Sequence, residues 1–266
     1  MSLPQEGVLV ALWTPTDSSG RLDTAVVRAN LQFLQRKGLA GLMLLGSTGE
    51  FLRLEVAERL RFLEVIRPLA EGWPAMVNVS DARPPAVVQL GQRVRELGFA
   101  SISLLAPWFY PHSQPDLAEF FARSAEAIGL PVFLYNFPER TGHRIELATI
   151  SAVADRVRVA GVKQSGAEFG YHRELTALGR ARGFAVLTGG ETRLAEAMGL
   201  GVSGCVSGLA NAVPELGGAL RGGSPRGPDV RGREHVAAGR VGAGHRSARF
   251  PAERGGGDAG AGLGRG

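Results

Sequence analysis

The stretch Arg158-Val-Ala-Gly-Val-Lys-Gln-Ser-Gly166 carries a single lysine out of a short apolar run and into a turn bearing serine and glycine. Only two lysines, Lys37 and Lys163, occur among 266 residues, against 28 arginines. A chain with this bias uses arginine wherever positive charge is sufficient, so Lys163 raises the question of what only an amine can do. A desolvated amine loses its proton near neutral pH and attacks a carbonyl, whereas guanidinium stays protonated and forms no Schiff base. The ordinary fate of a lysine is a solvated charge. The neighbouring motifs decide between the two.

Runs like this one recur along the chain. Apolar, β-branched segments at 8–13, 41–45, 75–79, 101–105, 132–136, 157–163, 184–187 and 204–207 read as eight strands, and each of the first seven is followed by a segment of helical period. Their near-continuous apolar character says that both faces are covered, as in parallel sheets. Asp23 and Ser113 stand where helix caps belong, Pro84-Pro85 opens a helix, and Gly98 and Gly129 close two. A (β/α)8 TIM barrel is the economical fold, with a doubly wound open sheet as the alternative. A barrel gathers the polar residues at the strand ends into one mouth. Those residues are Ser47 and Thr48, the segment 108–110, Tyr135 and Asn136, Lys163, and the segment 189–191.

Composition divides the chain at about residue 216. From 217 to 266 there are 16 Gly, 9 Arg and 4 acidic residues, a net +5 that equals the charge of the whole chain. Residues 1–216 are therefore neutral, and the basic balance gives no reason to assign them nucleic acid as a partner. The division predicts a barrel over 1–216 carrying the active site and an irregular Gly- and Arg-rich tail over 217–266 in place of closing helices. A frameshift in a gene rich in guanine and cytosine would produce such a tail. A natural disordered tail is the alternative. Cys205 is the only cysteine, so neither an internal disulfide nor a cysteine metal cluster is possible, which fits a reducing cytoplasm. The N-terminal residues show no targeting pattern and no apolar run reaches membrane-spanning length, so a soluble protein without a membrane partner is expected.

Two motifs point elsewhere and fail on context. Gly41-x-x-x-x-Gly46-Ser-Thr lacks the lysine of a phosphate loop. Gly199-Leu-Gly-Val-Ser-Gly204 fits a dinucleotide fingerprint literally but leads from a helix into a strand, the reverse of the order that seats a pyrophosphate. Gly46-Ser-Thr-Gly-Glu50, by contrast, offers two hydroxyls and backbone N–H groups suited to a small carboxylate, and Tyr135-Asn-Phe-Pro-Glu-Arg-Thr-Gly142 puts a phenol one strand from Lys163.

Together with Thr14-Pro15, Gly161-Val-Lys163 and Ala210-Asn211, these motifs resemble the dihydrodipicolinate synthase and N-acetylneuraminate lyase family of pyruvate-dependent aldolases, over about the first 215 residues. The resemblance implies that Lys163 forms the Schiff base with pyruvate and that Tyr135 relays protons. It implies that Ser47 and Thr48 hold the pyruvate carboxylate, and that Val206 turns its carbonyl to the site. No cofactor beyond the covalent lysine imine and no metal is implied. Arg140 matches the synthase branch, where it holds the carboxylate of an aldehyde substrate. Glu191 lies where the lyases bind polyols, which keeps a 2-keto-3-deoxy sugar acid or an N-acetylneuraminate-type substrate as the alternative. Phe109 falls at the position of a tyrosine that the synthases donate across a subunit interface, and Tyr110 is the candidate replacement. A homo-oligomer, the family tetramer, is the expected assembly. The reading of another class is a barrel that binds a keto acid without efficient turnover.

Overall fold

The computed structural model describes residues 2–215 and 217. The eight strands are β1 (Gly7–Ala11), β2 (Gly41–Leu44), β3 (Ala75–Asn78), β4 (Ser101–Leu105), β5 (Val132–Asn136), β6 (Val159–Gln164), β7 (Ala185–Thr188) and β8 (Gly204–Ser207). Each pairs in parallel with the next, and β8 pairs with β1 through Leu9 opposite Val206, so the sheet is a closed eight-stranded barrel. Around it run α1 (Thr24–Leu34), α2 (Val56–Leu69), α3 (Pro84–Glu96), α4 (Gln114–Ile128), the one-turn α5 (Pro138–Thr141), α6 (Leu147–Ala154), α7 (Tyr171–Arg182) and α8 (Leu194–Gly199). The open-sheet alternative is excluded. The expectation of an irregular tail lies, Gly217 apart, outside the described residues.

Local chemistry sets the boundaries. The Asp23 carboxylate accepts from the Ala25 and Val26 amides at the start of α1, and Ser113 with Asp116 forms a capping box on α4. Gly98 and Gly129 stop their helices at φ +77° and +74°. Five strands differ from the sequence reading at a boundary, and in three of them a backbone donor was already committed. The Trp13 N–H goes to the Asn211 side chain at 3.1 Å, which ends β1 early. Val157 and Phe184 donate to Val153 and Gly179 at 3.0 Å each, so both residues finish helices instead of starting strands.

Buried polar links tie the strand ends that form the mouth. The Asn78 amide donates to the Leu45 carbonyl at 2.8 Å, the Ser80 hydroxyl to Asn78 Oδ1 at 2.6 Å, and the Leu105 N–H to Ser80 Oγ at 2.8 Å. The chain of bonds spans the ends of β2, β3 and β4. It secures Leu45, a non-glycine residue at φ +54°, a conformation that costs energy unless its surroundings impose it. Below this, buried Arg59 donates to the carbonyls of Leu54 and Ser80 at 3.0 Å each and meets buried Asp81 at 3.2 Å. At the seam, Asn211 donates to Ala11 O at 2.8 Å and Gly208 O at 2.9 Å while accepting from Trp13.

Burial alone would push the Asp81 carboxyl up, but hydrogen bonds from Arg83 and the charges of Arg59 and Arg83 outweigh it and hold the group below its ordinary value. A depressed carboxylate contributes stability above its unfolded pKa and loses that contribution as pH falls. Asp81→Asn should cost about 3–5 kcal/mol at neutral pH by leaving Arg59 buried without its counter-charge. Urea unfolding should show the gap between parent and variant narrowing once pH drops below about 4.

Candidate active site

Lys163 and Tyr135 stand opposite each other on β6 and β5. Lys163 is 5% exposed, and its Nζ lies 3.9 Å from the Tyr135 ring centroid and 3.5 Å from Met43 Sδ. Among the described residues no carboxylate reaches it at ion-pair distance. The amine therefore sits against an aromatic face and a sulfur, partners that steady a cation less than a carboxylate does. Tyr135 is 2% exposed, and its hydroxyl lies 3.3 Å from Ser47 Oγ.

Burial pushes the Tyr135 phenol up; the positive charge of Lys163, with hydrogen bonding by Ser47, Lys163 and Ser165, overcomes this and holds it below the ordinary tyrosine value. Such a phenol gives up its proton more readily than a free one and lies nearer the range in which a side chain can exchange protons with a neighbour. Phe137 stacks on the Tyr135 ring at 5.9 Å and 22°.

The turn after β2 carries Ser47 at the surface and Thr48 half-buried. It leads first into a 3-10 turn, Phe51–Arg53, and only then into α2. The Glu50 N–H already bonds Ser47 O at 3.1 Å, so the turn presents its hydroxyls rather than a row of helix-end amides. Thr48 faces the turn after β8. A Cβ at Gly208 would lie 3.1 Å from Thr48 Oγ1 and 3.7 Å from Glu191 Oε1.

Residues 4–221 match the sequence profile of the Dihydrodipicolinate synthetase family. The chain belongs to that family. It is 28% identical over 221 residues to the 4-hydroxy-tetrahydrodipicolinate synthase of Haloarcula marismortui, covering 81% of this chain and 72% of that one. The probable 2-dehydro-3-deoxy-D-pentonate aldolase YjhH of Escherichia coli is also 28% identical, over 214 residues, with 79% and 71% covered. In three dimensions it superposes on YagE, a prophage protein of the dihydrodipicolinic acid synthase family from E. coli, solved in complex with pyruvate, at a TM-score of 0.78 and 26% identity over 90% of this chain and 80% of that one. The family's aldolase-type lyases are the enzyme class in which the chain stands.

Within this family member the remaining residues singled out from sequence are spread around the mouth. Arg140 is exposed on α5, with Cζ 5.8 Å from the Phe137 ring and no carboxylate at ion-pair distance among the described residues. Its helix is held in place: Glu139 Oε1 accepts from the Ala167 N–H at 2.6 Å, and Asn136 bonds both Gln164 Oε1 at 2.6 Å and the Ile145 N–H at 2.8 Å. Glu191 directs Oε1 at its own fold, accepting from Ser207 Oγ at 3.1 Å, the Gly208 N–H at 2.7 Å and the Leu209 N–H at 3.1 Å. Val206 is buried in β8. Phe109, 86% exposed at φ +82°, and Tyr110, 68% exposed, pack edge to face at 4.9 Å and point outward. No group of three or more His, Cys, Asp or Glu among the described residues could hold a metal ion, and no described helix is long and apolar enough to cross a membrane.

The structure adds neighbours that the sequence did not single out. Met43 reaches Lys163 from β2. Gly189 leaves room beside the amine, since a Cβ there would fall 2.0 Å from Ser165 Oγ and 3.3 Å from Lys163 Cε. Closure of the barrel brings Met43 across to Lys163, a placement that no periodicity reports.

The chain has three tyrosines, of which Tyr171 is pushed up to about 12 by burial, so Tyr135 can be followed by spectrophotometric titration. Lys163→Met removes the positive charge that opposes burial. The Tyr135 phenol should then ionise at higher pH than in the parent, with a Lys163→Met, Tyr135→Phe double variant identifying the transition.

Proposed function

We propose that the protein is a Schiff-base aldolase that uses pyruvate as the nucleophilic partner of a small aldehyde. The observation that carries this reading is the Lys163 amine, buried against Tyr135 with no carboxylate at ion-pair distance among the described residues. The amine adds to the keto carbon of pyruvate, and the carbinolamine loses water to give a protonated imine. That imine is an electron sink, so the methyl group gives up a proton and becomes an enamine. The enamine carbon bonds the aldehyde carbon while the aldehyde oxygen takes a proton, and hydrolysis returns the amine. Tyr135, linked to Ser47, carries protons to and from the oxygens on which charge develops. Ser47 and Thr48 hold the pyruvate carboxylate, with the Val206 carbonyl behind the site. No cofactor other than the lysine imine takes part.

The aldehyde in this reading carries a carboxylate, as in a 4-hydroxy-tetrahydrodipicolinate synthase. Among the described residues Arg140 has the Phe137 ring beside it and no carboxylate at ion-pair distance, and a guanidinium suits a bidentate anion. The second reading, a 2-keto-3-deoxy sugar acid aldolase, draws support from the similarity to YjhH. Against it, Glu191 has Oε1 committed to the turn after β8 and is poorly placed to bind a polyol. We place the protein in the cytoplasm, with the working domain at residues 1–216 and no nucleic-acid partner. The outward Phe109 and Tyr110 favour a homo-oligomer in which a second copy covers them.

Borohydride reduction in the presence of pyruvate should add the mass of a reduced pyruvyl group to Lys163 alone. Lys163→Ala and Lys163→Arg should abolish the adduct while circular dichroism stays that of the parent. Turnover undiminished in either variant would sink the mechanism. Arg140→Ala should leave pyruvate trapping intact and lower kcat/KM for a carboxylate-bearing aldehyde by about 2 kcal/mol, roughly thirtyfold. Equal loss of trapping and turnover would make Arg140 structural.

A further inference from the structure

The strand that faces β6 across an eight-stranded ring is β2, four places away in either direction. From that opposite wall Met43 meets the lysine, with Sδ 3.5 Å from Lys163 Nζ across the barrel interior. Met43 is fully buried. The same sulfur lies directly beneath the turn that bears Ser47 and Thr48, because a Cβ placed on Gly46 would fall 3.3 Å from Sδ and 3.4 Å from Cε. One side chain thus touches the amine and supports the turn.

Three properties of a thioether matter here. Its unbranched, polarizable chain fills an irregular space. Its sulfur is a weak acceptor, able to give a charged amine a direction. An oxygen acceptor in that place would favour the charged form more strongly, because hydrogen bonding to the charged form stabilises it. A hydrocarbon of the same size would fill the space and leave the amine without that partner.

We infer that Met43 is a positioning residue for Lys163, a soft acceptor on the opposite wall that fixes the direction of the amine while leaving it free to lose its proton. The inference rests on the reading of Lys163 as the imine-forming amine. In this proposal Met43 acts through the lysine.

The composition makes a direct test possible. With only Lys37 and Lys163 in the chain, lysine labelled with heavy nitrogen at the side-chain amine gives two resonances. Lys37 lies on the outer surface beside Glu215 and serves as the internal control. The Lys163 resonance should titrate at lower pH in Met43→Leu than in the parent, and at higher pH in Met43→Gln by about one pH unit. The Lys37 titration should be the same in all three proteins. If the Gln variant does not fold, the displacement between Leu variant and parent decides. Coincident Lys163 titrations, or equal movement of Lys37, would overturn the proposal. No pyruvate is present in this measurement, so a parent that fails to trap pyruvate counts against the aldolase reading and leaves the Met43 result standing. In a parent that does trap it, Met43→Leu should trap several-fold more slowly at the same half-saturating pyruvate. A loss that merely follows the unfolded fraction would mark Met43 as packing alone and overturn the positioning role.

Discussion

Taking the Lys163 side chain out of water with no carboxylate at ion-pair distance among the described residues is the constraint to which the rest of the barrel answers. An isolated buried charge is costly, and proteins usually pair it or neutralise it. Lys163 has the Tyr135 ring at 3.9 Å and the Met43 sulfur at 3.5 Å, contacts that lower the cost without removing it. The remainder of the burden falls on the barrel. Every residue of β6 is buried, and the flanking strands hold it in register at Tyr135 on one side and Leu187 on the other. The fold, and not a counter-charge, keeps the amine in place.

The same economy explains where the polar residues went. Apart from the contacts with Met43 and Tyr135, the buried side-chain bonds named above lie around the amine at the strand ends. Asn78 and Ser80 join three strands, Asn136 fixes the strand beside Lys163, and Glu139 anchors the helix that carries Arg140 to the loop after β6. Each bond fixes an element from which a mouth residue projects, so precision at the mouth is inherited from contacts outside it. Gly166 shows how tight that inheritance is. It has φ +97°, and a Cβ there would fall 2.0 Å from Glu139 Oε2, so only glycine admits the Glu139 bond to Ala167.

Much of this was legible in the sequence, and the reason differs from residue to residue. Eight apolar runs separated by helical periods specify a barrel because parallel strands covered on both faces leave little else to build. Lys163 stood out because arginine had displaced lysine nearly everywhere else. Strand starts at Val157 and Phe184 were misread because a backbone N–H has one destination, and the helix before each had taken it. Glu191 read as a mouth residue from its place after β7, yet one of its oxygens gathers three donors from the next strand end, a tertiary choice that no local pattern reports. Met43 looked like any apolar strand residue, because its partner lies 120 positions further along the chain.

The Asn211 clasp bears on how the chain comes to be folded. Its bonds to Trp13 and Ala11 join residues separated by 198 and 200 positions, and the pairing of Gly7 with Gly204 spans nearly as much. Strand pairs such as β4 with β5 close over short stretches and can form as the chain lengthens, but β1 has an open edge until residue 207 has been made. Loop-closure entropy grows only slowly with length, so the seam costs little more in stability than a shorter one. In time it costs more, because long-range pairing is slow. A nascent chain therefore carries an unpaired β1 edge through most of its synthesis, and that exposed edge, rather than the finished barrel, is where association between incomplete chains would begin.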